Sequence, residues 1–283
     1  MPRRPGAVYV DCTLGYGGLA YRLLSEADAD ARLIGIDQDV SALRAAKVRL
    51  AAFGARVTFI EGNFSQLTMH LHSVGIGSVD GVIMDLGVSS PQLDEAERGF
   101  SFSQSGPLDM RMASQGICTA ADLVNSLSER ELADVIYQYG EERFSRRIAR
   151  AIVRARSTSP LRTTNELVDV IRGAVPAGYR HGRLHCATRT FQALRIAVNR
   201  EMDVLREALP QARQVLAPGG RLAVVSFHSL EDRLVKHAFR EWAAGEQPTI
   251  RILTRKPVEP SDEECARNPR ARSAKLRVME RVA

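Results

Sequence analysis

Apolar residues in the N-terminal part of the chain fall into short unbroken runs, each followed by a longer stretch in which they recur at helical spacing. The runs are Ala7-Val8-Tyr9-Val10, Leu33-Ile34-Gly35-Ile36, Val57-Thr58-Phe59-Ile60 and Val79-Asp80-Gly81-Val82-Ile83-Met84. Runs of this kind, rich in β-branched residues, predict strands covered on both faces. Residues 19–25 and 40–53 predict the helices between them. Strands alternating with helices predict an α/β fold built on a doubly wound, mostly parallel sheet. Near Thr119 the pattern changes and stays helical to Ala177. Ser128-Glu129-Arg130-Glu131 predicts a capping box, and Thr164-Asn165-Glu166-Leu167 a second helix start, closed by Gly173 and Pro176. A long helix over 189–216, the turn Pro218-Gly219-Gly220 and the strand Leu222-Ala223-Val224-Val225 resume the alternation. The expected organisation is an α/β domain, residues 1–112 and 188–283, interrupted by an all-α domain at 113–187.

Two strand ends carry candidate chemistry. The fourth run leads into Asp85-Leu86-Gly87-Val88-Ser89-Ser90-Pro91-Gln92, and open α/β sheets bind ligands beyond the carboxyl ends of their strands. The polar loop that follows is long, as functional loops often are. The first run leads into Asp11-Cys12-Thr13-Leu14-Gly15-Tyr16-Gly17-Gly18. Glycines let the backbone turn tightly against a ligand, and the next helix offers free N–H groups. Asp37, about twenty residues on, is placed to accept hydrogen bonds from ribose hydroxyls. This combination fits a nicotinamide dinucleotide or S-adenosyl-L-methionine. The Gly-x-Gly-Gly turn at Gly15, in place of a full GxGxxG, and the helix-to-strand turn Leu216-Ala217-Pro218-Gly219-Gly220-Arg221-Leu222 favour the second. Phe64, just past the third strand, reads either as a flank for the adenine or as a core aromatic.

Five stretches spaced along the chain resemble the bacterial small-subunit rRNA cytosine-N4-methyltransferase family and its mitochondrial relatives. They are residues 85–112; Tyr139-Gly140-Glu141-Glu142-Arg143-Phe144; residues 187–196, beginning Ala187-Thr188-Arg189; Ser226-Phe227-His228-Ser229-Leu230-Glu231-Asp232-Arg233; and Asn268-Pro269-Arg270-Ala271-Arg272-Ser273-Ala274. The resemblance implies a Rossmann-like methyltransferase core with a helical insertion. It also implies cofactor contacts at Gly17, Gly18, the position of Leu19, Asp37, Phe64, Asp85 and Gln92. The implied substrate is a cytidine in the decoding region of small-subunit (16S-type) rRNA, methylated on its exocyclic amine. Three features depart from the family. Leu19 stands where His is usual, and His185-Cys186-Ala187-Thr188 replaces His-Pro-Ala-Thr. The chain also begins a few residues before its first strand, without an upstream Pro-Val-Leu element, so looser cofactor binding is one expectation.

An exocyclic amine is a poor nucleophile, and positioning supplies much of the rate of such a transfer. Asp85 is therefore expected to act as an orienting acceptor. His228 is expected either to touch the target or its phosphate, or to cap a helix. Phe100 and Phe102 are candidates for stacking on the base, and no cysteine matches the attack on C6 used by C5-methyltransferases. The four cysteines form no CxxC pair, which predicts reduced thiols. His181, His185 and Cys186 lack an evident fourth ligand, so no metal is expected.

Formal net charge is +6, consistent with a nucleic-acid partner. Arg143, Arg147, Arg150 and Arg154 share one face of a predicted helix opposite Phe144, Ile148 and Ile152. That face reads as solvated surface or as a set of phosphate contacts. Arg270 and Arg272, with Arg267, Lys275 and Arg277, form a second basic cluster. The expected partner is small-subunit rRNA or a 30S-type particle, recognised through shape and an accessible base. A homodimer is compatible with the sequence. No apolar run approaches the ~18 residues that span a bilayer, so the cytoplasm, or an organellar matrix, is the expected setting. The rival readings are an rRNA-binding ribosome-assembly factor that has lost turnover and a nicotinamide-dependent oxidoreductase.

Overall fold

The computed structural model describes residues 1–113, 116, 118–180, 182, 184–244 and 249–282, which divide into two compact units, 1–87 with 202–283 and 88–201. In the first unit the elements run β1 (Val8–Asp11), α1 (Gly18–Glu26), β2 (Arg32–Asp37), α2 (Val40–Arg49), β3 (Val57–Glu61), α3 (Leu67–Ser73) and β4 (Val79–Asp85). In the second they are α4 (Ser90–Asp94), α5 (Ala120–Ser126), α6 (Glu129–Gly140), α7 (Ser145–Arg156), α8 (Thr164–Ala174), α9 (Ala177–Arg180) and α10 (Thr188–Asn199). From Met202 on the chain completes the first unit, with α11 (Glu201–Val215, its first residue still in the second unit), β5 (Leu216–Ser226), α12 (Ser229–Trp242), β6 (Ile250–Ile252), α13 (Asp262–Arg267) and β7 (Lys275–Arg281).

The seven strands form one sheet in the order β3-β2-β1-β4-β5-β7-β6. Strands β1 to β5 pair in parallel, and β7 runs antiparallel between β5 and β6. Two apolar layers cover it. Val8, Val10, Ile34 and Ile36 pack with Leu67 and Leu71 of α3, Leu205 and Leu209 of α11, and Val235 and Phe239 of α12. Tyr9 and Leu33 on the opposite face pack with Leu24 of α1, with Leu43 and Ala46 of α2 and with Leu50 just past its end. Burial on both faces is why these strands read as continuous apolar runs.

The helical unit has its own core. Leu132 and Ile136 of α6, Ile148 and Ile152 of α7, and Leu167 and Ile171 of α8 all belong to it. Phe100, Leu108, Met110 and Met112 join from the preceding loop, and Phe191 and Leu194 from α10. The unit thus spans 88–201, wider than the 113–187 expected, because its flanks supply core side chains as well as connections. Capping boxes at Thr119, Ser128 and Thr163 start α5, α6 and α8.

Three sequence expectations need correction. Gly173 lies inside α8, which ends at Ala174. The long helix over 189–216 is two helices, broken at Arg200, whose backbone adopts φ 50. Arg195 donates to both carboxylate oxygens of Glu201 at 2.8 Å, tying the two sides of the break together. The turn at Pro218 to Gly220 lies within β5, where the pairing with β4 shifts register between Val79 and Gly81.

Candidate functional site

Strands β1, β2 and β4 each end in an aspartate, Asp11, Asp37 and Asp85. β1 lies between the other two, so Asp11 stands between their carboxylates. The loop after β1 binds all three strand ends together. Asp11 accepts hydrogen bonds from the Thr13 N–H (3.1 Å) and hydroxyl (3.5 Å), and that hydroxyl accepts the Asp85 N–H at 2.7 Å. Asp37 accepts the Gly15 N–H at 2.7 Å and the Asp39 N–H at 2.8 Å. Gly15 turns at φ 51 and Gly17 at φ 74, and Gly17 caps α1 with no side-chain hydrogen bond. The first-turn N–H groups of α1 are thereby available to an anionic group, favoured there by the helix dipole.

The electrostatics of this end of the sheet are acidic. Asp11 is 1 % exposed, and burial pushes its carboxyl up to about 7; the Thr13 N–H opposes that rise, and Asp85 and Asp37 reinforce it. Burial also raises Asp37, against the N–H bonds of Asp39 and Gly15. Asp85 is solvent-accessible at its strand end, yet the surrounding walls withdraw enough water from its carboxyl to raise it to about 6, with Glu231 adding repulsion. Groups held this far from ordinary carboxylate values in one place mark a functional-site candidate.

Glu231 and His228 come from the turn after β5. Glu231 is buried and accepts the N–H groups of Phe227 (2.8 Å) and His228 (3.3 Å). His228 caps α12: its Nδ1 accepts the Glu231 N–H at 3.4 Å, completing a reciprocal capping box. With Nδ1 as acceptor, a neutral ring carries its proton on Nε2. That atom is buried, 3.2 Å from a Glu231 oxygen but not aligned for a hydrogen bond, and it has no partner. The helix-capping reading of His228 therefore describes its Nδ1, while Nε2 lies buried beside the Glu231 carboxylate.

Together these groups can hold a ligand that is cationic at its centre, carries hydroxyls for Asp37 and offers a carboxylate to the start of α1. S-adenosyl-L-methionine has this charge layout, with a sulfonium, a ribose and an amino-acid end. Gly17 limits how the turn is built, since a Cβ there would lie 3.2 to 3.3 Å from Leu50 and Ala46 at a positive φ. Gly17→Ala is expected to cost about 1 to 2 kcal/mol in urea unfolding and to weaken cofactor binding.

Other sequence candidates fall differently. Leu19 is 44 % exposed on α1. Phe64 is half-buried and packs on the core beneath the sheet, so its core reading is satisfied. Gln92, in the helical unit, is buried and joins Ser89 in a capping box, its carbonyl accepting the Ser89 N–H at 3.0 Å. Phe100 lies in the helical core with Arg98 over its ring, and it is not available for stacking on a base. Phe102 is half-buried between His185 (ring centroids 4.7 Å apart) and Phe191 (4.9 Å). His181 lies outside the described residues. Sequence reasoning missed Asp11, Thr13 and Glu231. Asp11 ends its strand as Asp37 and Asp85 end theirs, and that shared position was the available signal.

The arginine faces also separate. Ile148 and Ile152 of α7 are fully buried, and Arg143, Arg147, Arg150 and Arg154 are exposed opposite them. Arg143 stacks over Phe144 (4.8 Å) and Tyr179 (5.1 Å), and Arg150 pairs with Glu129 at 3.3 Å. The Tyr179 hydroxyl donates to the buried Glu142 at 2.6 Å, and burial with this bond pushes it up to about 12. Arg270 and Arg272 are exposed in a single-turn 3-10 helix, Pro269–Ser273. Arg277 does not belong with them: it is buried on β7 and bound to Asp232 of α12 at 2.6 and 3.1 Å. Among the described residues no helix is long and apolar enough to cross a membrane, and no disulfide joins the four cysteines.

A family model described as the MraW methylase family matches residues 1–282. The chain is 53 % identical over 294 residues to ribosomal RNA small subunit methyltransferase H of Pelobacter propionicus, covering 99 % of this chain and 94 % of that protein. It is 53 % identical over 292 residues to the protein of the same name from Geobacter sulfurreducens, with the same coverage. Among solved structures, a putative rRNA-methylase from Clostridium thermocellum aligns with a TM-score of 0.47 at 12 % identity, covering 99 % of this chain and 89 % of that one.

Proposed function

Because the chain belongs to the MraW methylase family, we propose that it transfers a methyl group from S-adenosyl-L-methionine to the exocyclic N4 amine of a cytidine in the decoding region of small-subunit rRNA. The observation that carries the reading is the joining of the Asp11, Asp37 and Asp85 strand ends to the glycine turn through Thr13 and Gly15. The cofactor supplies an electrophilic methyl on a cationic sulfur. The protein's part is to bind, orient and accept protons. The backbone at Gly15, Gly17, Gly18 and Leu19 lines the amino-acid end, and Asp37 takes the ribose hydroxyls. Asp85 accepts hydrogen bonds from the target amine and aims its lone pair along the line of transfer. Asp85, at the exposed end of its strand, is assigned to the amine. The Nε2–H of His228 is available to donate to the target base or its phosphate.

Arg143, Arg147, Arg150 and Arg154 on the helical unit, and Arg270 and Arg272 on the other, contact rRNA phosphates. Such contacts set affinity and its salt dependence. Arg147→Ala combined with Arg154→Ala is expected to lower the slope of log affinity against log salt by about 1 for each phosphate that the protein no longer neutralises. Nitrocellulose binding of small-subunit rRNA between low and physiological salt measures it. The reading as a whole is tested by transfer of labelled methyl to unmodified small subunits followed by mass spectrometry of the nucleosides. N4-methylcytidine supports it. Methylation at another atom overturns the cytosine-N4 assignment, and no transfer with cofactor and RNA both bound favours an assembly factor instead.

A further inference from the structure

Asp11 is the strand-end carboxylate that the proposed chemistry leaves without a task. It pairs in register with Gly35 of β2 and Ile83 of β4, so Asp37 and Asp85 stand two residues further along the strands on either side of it. A ligand that reaches from Asp37 to Asp85 must cross above Asp11. Asp11 is almost completely withdrawn from water, and its hydrogen bonds come from a neutral residue, Thr13. The groups facing it are Asp37 on β2, Asp85 on β4 and the buried Cys12 thiol beside it, with Glu231 and His228 of the α12 turn beyond Asp85.

We propose that Asp11 discriminates the cationic cofactor from its neutral product: it holds a proton in the unliganded protein, releases it when S-adenosylmethionine binds, and keeps it when S-adenosylhomocysteine binds. The inference rests on the methyltransferase reading and deepens it. A buried carboxyl flanked by carboxylates favours its neutral form, and a positive charge brought over it favours the ionised form. The unliganded value of about 7 puts the exchange within the physiological range. On cofactor binding the O–H bond of Asp11 breaks and the proton passes to solvent. In the transfer, the sulfur keeps the electron pair of the broken C–S bond and becomes neutral, while the amine nitrogen gives its lone pair to the methyl and sheds one proton. One positive charge has then left the strand ends, and one proton returns to Asp11. The carboxylate that strengthened binding of the substrate is neutralised in the product complex, which leaves the product more weakly held.

Calorimetric titration of the full chain with each ligand, in buffers of different ionisation heat, counts the protons. At pH 6.5 S-adenosylmethionine is expected to release between about half and one proton and S-adenosylhomocysteine almost none. Affinity for the first should rise about tenfold from pH 6 to pH 8, and for the second by less than about twofold. Asp11→Asn, which keeps an acceptor for Thr13, should abolish the proton release and reduce the difference between the ligands. Should that variant not fold, the carboxyl carbon resonance of Asp11 in the wild-type protein gives the same readout: ionised with the cofactor, protonated with the product at pH 6.5. Equal proton counts for the two ligands would overturn the inference, as would a difference that survives Asp11→Asn. If the wild-type protein bound neither ligand, the methyltransferase reading would fall, and this inference with it.

Discussion

Asp85→Ala is expected to lower single-turnover methyl transfer by about a hundredfold or more while leaving the fold in place. The size follows from removing a positioned acceptor at the reacting amine, a loss that commonly costs about 10²-fold to 10⁴-fold. The fold is spared because the bond that Asp85 makes to the β1 loop comes from its backbone N–H, which alanine retains. Removing the carboxyl also relieves repulsion with Glu231 and Asp11. The thermal midpoint at pH 8 should therefore hold or rise. Asp85→Asn keeps an acceptor oxygen without the charge and should retain intermediate activity. Rates of the wild-type protein are expected to fall as pH is lowered and Asp85, at about 6, takes up a proton. That limb should vanish from the profile of Asp85→Asn. A rate near wild type for Asp85→Ala would remove the residue from the reacting centre.

How much of this was readable in the chain depended on whether a signal was local. Three of the four parallel runs were legible because burial on both faces leaves no polar alternation, the edge strand β3 because it is rich in β-branched and aromatic residues, and the glycine turn because positive φ selects glycine. Asp37 and Asp85 followed from their places at strand ends. Asp11 did not, because its meaning depends on strand order: only the pairing of β1 between β2 and β4 puts it between two other carboxylates. His228 left two readings open in the sequence, target contact or helix cap, and Glu231 carried no signal of its own until the capping box closed. The break at Arg200 was hidden because a non-glycine residue holds the positive φ, held there by the Arg195–Glu201 pair. Residues 98–112 looked like loop because they are rich in glycine and serine, although Phe100, Leu108 and Met110 fill the helical core. Antiparallel β7 was missed for a related reason. Its inward positions include Arg277 as well as Met279, and an arginine in a basic stretch reads as surface.

The largest expected effect on stability comes from that arginine. Arg277→Met should destabilise the protein by about 3 to 5 kcal/mol, the range for breaking a buried ion pair by removing one partner. The side chains of Arg277 and Asp232 are 9 % and 14 % exposed, and the guanidinium donates to both carboxylate oxygens. Burial by itself would raise Asp232, but Arg277, bonded to it and positively charged, holds it below the ordinary carboxylate range. A carboxyl depressed in the folded state stabilises above its unfolded pKa of about 4 and loses that contribution as pH falls through the folded value. The difference between wild type and Arg277→Met in urea unfolding should therefore be full at pH 7 and shrink as pH falls through the carboxylate range, first as the unpaired Asp232 of the variant takes up a proton and then as the paired one does. Asp232→Asn placed in the Arg277→Met background should recover part of the loss, because the unpaired buried charge is then gone. The salt slope of RNA binding should not change, since the arginine is spent inside the fold, anchoring α12 and its His228 cap against β7. A variant that kept its stability but showed a salt slope smaller by about 1 would place Arg277 on the RNA-facing surface with Arg270 and Arg272.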